Sequence, residues 1–284
     1  MRKNIFQILQ ERFNYHDEIY RIDELFCRYK LFCAWSTGYP PEKFVDTYNF
    51  HTWKQRSRCL NTADMRNILK IDDVVRKQEP DINDIIHYLE YVQNILYLSW
   101  AYVNENENAG YYAEYNMLES NINSLLDNIN HETYYFDDEE MALIVEKNAE
   151  VTAVANIVNE NLSMDVIKYN HHLLKGDTDT KRNIILALAD KLEPKRKQLE
   201  QIDKALTSNL FYMLNNMNIR HNNKEKGNKN YKEYVAKMRK GTLEKWYDET
   251  YHLELLAFLQ LDNVKRNKDI DALKAKMEVN TNGK

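Results

Sequence analysis

Apolar residues in this chain recur mostly at helical spacing. Residues 3–15 read as an amphipathic helix with Glu11 and Arg12 on its polar side. Over 17–35, Ile19, Ile22, Phe26, Tyr29 and Cys33 share one face, widened by Leu25 and Phe32, and Gly38-Tyr39-Pro40-Pro41 stops the run. Thr62 is placed to cap a helix over 63–71, and Pro80-Asp81 opens a strong helix reaching about Asn104. A polar loop over 104–110 separates it from a helix over 111–130. At His131 the period changes. Residues 131–136 and 141–145 are β-prone runs joined by Asp137-Asp138-Glu139-Glu140, which predicts a lone hairpin.

Helical spacing returns over 149–159, 164–174 and 178–192. Pro194 suits the first turn of a further helix, and Leu199, Ile202, Leu206, Leu210, Leu214 and Met217 keep one register to His221. A short helix over 231–238 precedes a long final one capped by Thr242. Trp246, Thr250, Leu253, Ala257, Leu261 and Val264 form its expected buried stripe, with fraying expected after Met277. The predicted fold class is all-α, a multi-helix bundle with a minor β-hairpin near 131–147. The predicted divisions are a helical N-terminal region (1–130), the hairpin connector (131–147) and a helical domain (148–284).

Composition supports that picture. Only 6 Gly and 4 Pro in 284 residues leave little material for turns, so short loops between long helices are expected. The 20 Tyr and abundant Asn fit an AT-rich coding sequence. Three cysteines, Cys27, Cys33 and Cys59, lack metal-ligand spacing and suggest reduced thiols. No run approaches the roughly 18 apolar residues of a membrane span, and the first residues do not form an apolar signal segment. The expected location is the cytoplasm, away from membranes. Phosphate-binding GxxxxGK[ST], strand-led GxGxxG, HExxH and GxSxG are all absent, and neither cofactor nor metal is expected.

Charge is uneven. The whole chain carries −5, yet 16 Lys/Arg stand against 8 Asp/Glu between Lys175 and Lys240, leaving about −13 for the remainder. A basic segment on an acidic protein points to a local anionic partner. Within it, Asn215-Asn216-Met217-Asn218-Ile219-Arg220-His221-Asn222-Asn223-Lys224 concentrates polar chemistry. Metal-free RNA cleavage needs a base for the 2′-OH, an acid for the leaving oxygen and a cation beside the phosphorane. His221 suits proton transfer and Arg220 suits charge stabilisation. Asn218, Asn222 and Asn223 can hold phosphate or ribose oxygens, while Lys224, Lys226, Lys229 and Lys232 can guide the backbone. The same residues also suit a helix C-terminus, where cations meet the dipole and Asn favours the exit.

Other constellations are weaker. Glu249 and His252 lie one turn apart, as a metal pair can, with Asp84 and His87 as a looser echo. His171 and His172 are adjacent on a predicted helix and diverge by about 100°. Residues 44–58 interleave aromatic and basic side chains, as an RNA-stacking surface or as core aromatics beneath snorkelling cations.

The Arg220-His221 segment, followed by a basic loop and a long last helix, resembles the HEPN superfamily, particularly bacterial abortive-infection proteins. The resemblance covers roughly 148–277. That family's motif is an Arg, often with a polar residue after it, then a His after four to six intervening residues. Arg220 and His221 fit the first part; positions 224–227 are Lys, Glu, Lys and Gly, so the second His is missing. Either His221 serves in a variant motif, or the domain binds without cutting. The resemblance implies an RNA-targeting antiphage effector, possible endoribonuclease activity, and a homodimer or a defence-system partner. The alternative is a non-catalytic RNA-, nucleotide- or protein-binding helical module.

Overall fold

A computed structural model describes residues 14–281, with side chains to residue 277, so the helix expected over 3–15 lies almost wholly outside the described residues. The chain is mostly helical with two small antiparallel sheets, and divides into units spanning Met1–Lys147 and Asn148–Lys284.

In the first unit, α1 (Tyr15–Arg28) is capped by Asn14 and buries Ile19, Ile22 and Phe26. It stops well short of residue 35 because Tyr29 turns extended. Phe32–Ala34 (β1) instead pairs with Thr37–Tyr39 (β2) and with Ala109–Tyr111 (β3), in the order β2-β1-β3. Phe32 satisfies both a 3.6 and a 2.0 period, which hid the strand, and β3 lies in the stretch expected to be loop. Helices α2 (Pro41–Tyr48), α3 (Thr62–Leu69) and α4 (Ile71–Arg76) follow. Asn61, not Thr62, caps α3: its Oδ1 accepts from the Asp64 N–H at 2.8 Å, while the Thr62 hydroxyl donates to Asp46 at 2.7 Å. Phe44, Phe50 and Trp53 are buried, so the aromatic residues of 44–58 are core rather than an RNA-stacking surface.

Helix α5 (Ile82–Glu105) starts where the sequence indicates, with Asp81 and Asp84 forming a reciprocal capping box. It leads through β3 to α6 (Ala113–Asn128), then to the hairpin β4 (His131–Phe136) and β5 (Met141–Glu146). Two α5 side chains hold the backbone of β5. Asn94 bonds both the N–H and the C=O of Ala142, at 2.9 and 2.8 Å, and Glu90 accepts from the Ile144 N–H at 2.9 Å. An unpaired strand edge is thereby satisfied.

One charged centre lies inside this unit. Arg66, 8% exposed, ion-pairs with Asp23 at 3.1 Å, Glu42 at 2.9 Å and Asp72 at 2.7 Å. Tyr91 donates to Glu42 at 2.6 Å and Tyr88 to Asp23 at 3.1 Å. Burial opposes the guanidinium charge, but Glu42 and Asp23 outweigh it and raise the Arg66 pKa. Burial, then Glu42 and Asp23, pushes the neighbouring Cys27 thiol up to about 12, so it stays protonated and unreactive.

The second unit contains α7 (Ala149–Ala155), α8 (Glu160–Lys168), α9 (Thr178–Leu192), α10 (Arg196–Ile202), α11 (Lys204–Asn216), the single turn α12 (Glu233–Ala236) and α13 (Lys240–Thr281). The helix expected from 195 to His221 is broken at Asp203, whose backbone turns extended and whose carboxylate caps α11 through the Leu206 N–H at 2.9 Å. No Gly or Pro marks this break, and the apolar register crosses it undisturbed. Helix α13 packs against α7, α9, α10 and α11. It begins before Thr242, which is exposed in its first turn, and continues beyond Met277. Its buried face is Leu243, Tyr247, Thr250, Tyr251, Glu254, Leu255 and Ala257, while Trp246 is exposed. The stripe is rotated from the expected one because Tyr and Glu occupy inward positions.

Candidate functional site

The polar cluster is a loop, not the end of a helix. Helix α11 stops at Asn216, and Asn218 then takes a left-handed backbone at φ 59°, a conformation Asn tolerates better than most residues. Asn218 and Asn223 exchange bonds: the Asn218 N–H donates to the Asn223 side chain at 2.6 Å, and the Asn223 N–H to the Asn218 side chain at 3.1 Å. The Asn223 Nδ2 donates to the carbonyls of Asn230 at 2.7 Å and Asn215 at 3.3 Å, and its own carbonyl accepts from the Lys232 N–H at 2.8 Å. Asn223 is fully buried and pins both ends of the loop. The Asn218 carbonyl accepts from Arg182 Nε of α9 at 2.8 Å and from the Tyr247 hydroxyl of α13 at 3.3 Å, anchoring the loop to two helices. Asn222 caps the next turn by accepting from the N–H groups of Lys224 and Glu225. The three asparagines therefore bond the loop itself.

What the loop offers outward is cationic. Lys224, Lys226 and Lys229 are exposed and make no ion pair among the described residues. His221 is also exposed and makes no hydrogen bond among them. Arg220 turns the other way. Its guanidinium ion-pairs with Glu193 and lies 5.2 Å from the centre of the buried Phe211 ring, which Arg196 also faces at 4.4 Å. The two proposed catalytic residues are thus adjacent in sequence, with one folded against α11 and the other in solvent.

Sequence reasoning missed Glu254. It sits on the inward face of α13, fully buried, and neither carboxyl oxygen has a hydrogen-bond partner among the described residues. Burial drives its pKa well above the ordinary value of 4.5, against an opposing pull from Arg220. Burial thus favours the protonated acid over the carboxylate. The available signal was one acid inside Leu253-Glu254-Leu255-Leu256-Ala257. Also missed was Lys181, which bonds Glu244 at 2.9 Å and Asp248 at 2.8 Å and lies over the Tyr169 ring at 5.1 Å. Tyr169 donates to Asp248 at 3.0 Å and stacks on Tyr251 at 3.9 Å. Glu244 also accepts from the Gly176 N–H at 2.7 Å. These partners come from α9, α13 and the connection between α8 and α9, so no local spacing announces them.

Glu249 is exposed, and His252 approaches Glu150 of α7 at 3.6 Å. His171 is buried, His172 is partly so, and their rings lie 4.4 Å apart. No family of known proteins, no curated protein and no solved structure matches this chain.

Proposed function

We propose that the second unit binds RNA through the loop from His221 to Lys232, as a HEPN-like module of a cytoplasmic antiphage protein. The observation that carries this reading is the pairing of a fixed backbone with uncommitted charge. Asn223 holds the loop, so little ordering remains to be done on binding, and among the described residues Lys224, Lys226 and Lys229 have no carboxylate to leave first. Tyr234, 74% exposed, lines an open cavity of about 560 Å³ with Arg239 and the ion-paired Glu233 and Lys237, where a base can stack beside Arg239. The test is fluorescence anisotropy with single-stranded RNA across a salt series. Each phosphate neutralised adds about 0.7 to the slope of log affinity against log salt. Replacing Lys224, Lys226 and Lys229 together with Ala is expected to lower that slope by about 2. An unchanged slope rejects the loop as the binding face.

A cleaving version of this module is favoured by one observation, the exposed and uncommitted His221 imidazole beside Arg220. One chain then supplies one proton-transfer group, and a homodimer supplies the second. The measurement is RNA cleavage in chelator by the wild type and by His221→Ala. Cleavage lost with binding retained supports catalysis; binding without cleavage by the wild type leaves the non-catalytic module.

A further inference from the structure

The first unit contains a cavity of about 330 Å³ between α5, the start of α6 and the hairpin tip, within the size range of small-ligand sites. Its walls are aromatic. Tyr97 of α5 stacks on Tyr135 of β4 at 5.4 Å and 29°, Tyr111 and Tyr115 lie 5.0 Å apart, and Trp100 adds a half-exposed indole. Its charge has one sign. Glu119 and Asp137 line it, and no Lys, Arg or His does so among the described residues. The Tyr97 hydroxyl donates to Asp137 at 2.6 Å, and the Tyr135 hydroxyl to Gln93 Oε1 at 3.3 Å, so both rings are fixed by polar anchors at their far ends. Gln93 is 2% exposed and its Nε2 has no acceptor among the described residues, leaving a buried donor at the cavity wall. Burial and then Glu119 push the Tyr135 hydroxyl up to about 12, which keeps it neutral and consistent with a negative local potential.

Aromatic faces carry negative charge density and attract a cation within about 6 Å, most strongly when water is displaced. Carboxylates beside such faces add long-range attraction, and an apolar ring surface suits a cation bearing methyl groups better than a strongly hydrated ammonium. An anionic ligand is disfavoured by both acids. We infer that this cavity binds a small organic cation of the methylated-ammonium class, held by Tyr97, Trp100, Tyr111, Tyr115 and Tyr135, with Glu119 as its principal counter-charge. The inference does not depend on the RNA reading of the second unit. It also gives the hairpin a role, since Tyr135 and Asp137 come from it.

The probe is choline, compared with its neutral isostere 3,3-dimethylbutan-1-ol, by isothermal titration calorimetry on the full chain. Choline is expected to bind at least about tenfold more tightly than the neutral alcohol. Glu119→Gln is expected to weaken choline by roughly fivefold and leave the alcohol unchanged. Trp100→Leu is expected to weaken choline at an unaltered melting temperature, because the indole is half exposed. Equal binding of choline and the alcohol, no binding of choline, or choline binding indifferent to both substitutions overturns the inference. A Glu119→Gln protein with a lowered melting temperature is replaced by Glu119→Asp, which keeps the charge and must keep the preference for choline.

Discussion

Each unit holds an ionisable group that is buried, and the two are treated in opposite ways. Arg66 in the first unit meets three carboxylates, two of which are themselves held by Tyr88 and Tyr91. Glu254 in the second unit has no hydrogen-bond partner among the described residues. The first remains charged because its surroundings were assembled around the charge. The second escapes the cost of a buried charge by keeping its proton, while its polar oxygens remain unsatisfied. A saturated network ties α1, α2, α3, α4 and α5 together. An unsaturated buried acid within the electrostatic reach of Arg220 carries the cost of unmet hydrogen bonds instead.

The sharpest way to break the comparison is Arg66→Met. It leaves the partly buried Asp23 and Glu42 without their cation, held only by Tyr88 and Tyr91, and should destabilise the first unit by about 3 kcal/mol in urea denaturation. Glu254→Leu should do the reverse. It removes two buried, unpaired oxygens at similar side-chain volume and should stabilise the second unit by about 1–2 kcal/mol. Equal destabilisation by both substitutions would remove the distinction.

The pH dependence sharpens it further. The folded pKa of Glu254 is raised, so between its ordinary value of 4.5 and the higher folded value the native state holds a proton that the unfolded state has released. Its stabilising contribution is complete below that ordinary value and is lost as pH rises through the window. The second unit should lose stability upward from pH 4.5 at a rate of up to about 1.4 kcal/mol per pH unit from this group, and Glu254→Gln should flatten the profile. Arg220→Met removes the charge that opposes the shift and should extend the window upward, as read by the same melts across pH. The smallest effect belongs to the outer arm of the Arg66 centre. Asp72 is half exposed, and Asp72→Asn should cost under about 1 kcal/mol.

Much of the helical scaffold was legible in the sequence. The start of α5 at Asp81 and the hairpin beginning at His131 are written in local chemistry, a capping box in one case and a change of period in the other. The errors share a cause. Phe32 fits a strand and a helix equally, and its partner β3 lies far along the chain, so pairing could not be read locally. Asp203 breaks an uninterrupted apolar register with a side-chain cap that looks ordinary in sequence. The candidate loop was visible as composition, but its internal bonding was not. Asn218, Asn222 and Asn223 read as phosphate ligands by residue type, and the structure gives their amides loop contacts.

The amino-acid sequence by itself determined the helical class, the site of the hairpin, and the concentration of cations and asparagines after α11, because periodicity, capping and composition act over a few neighbouring residues. Only the tertiary structure decided which polar groups face inward and which of them find partners. Glu254 and Arg66 are both single charged letters near apolar neighbours. What separates them is whether distant segments bring complementary groups within hydrogen-bond reach, and that depends on the packing of helices remote in sequence.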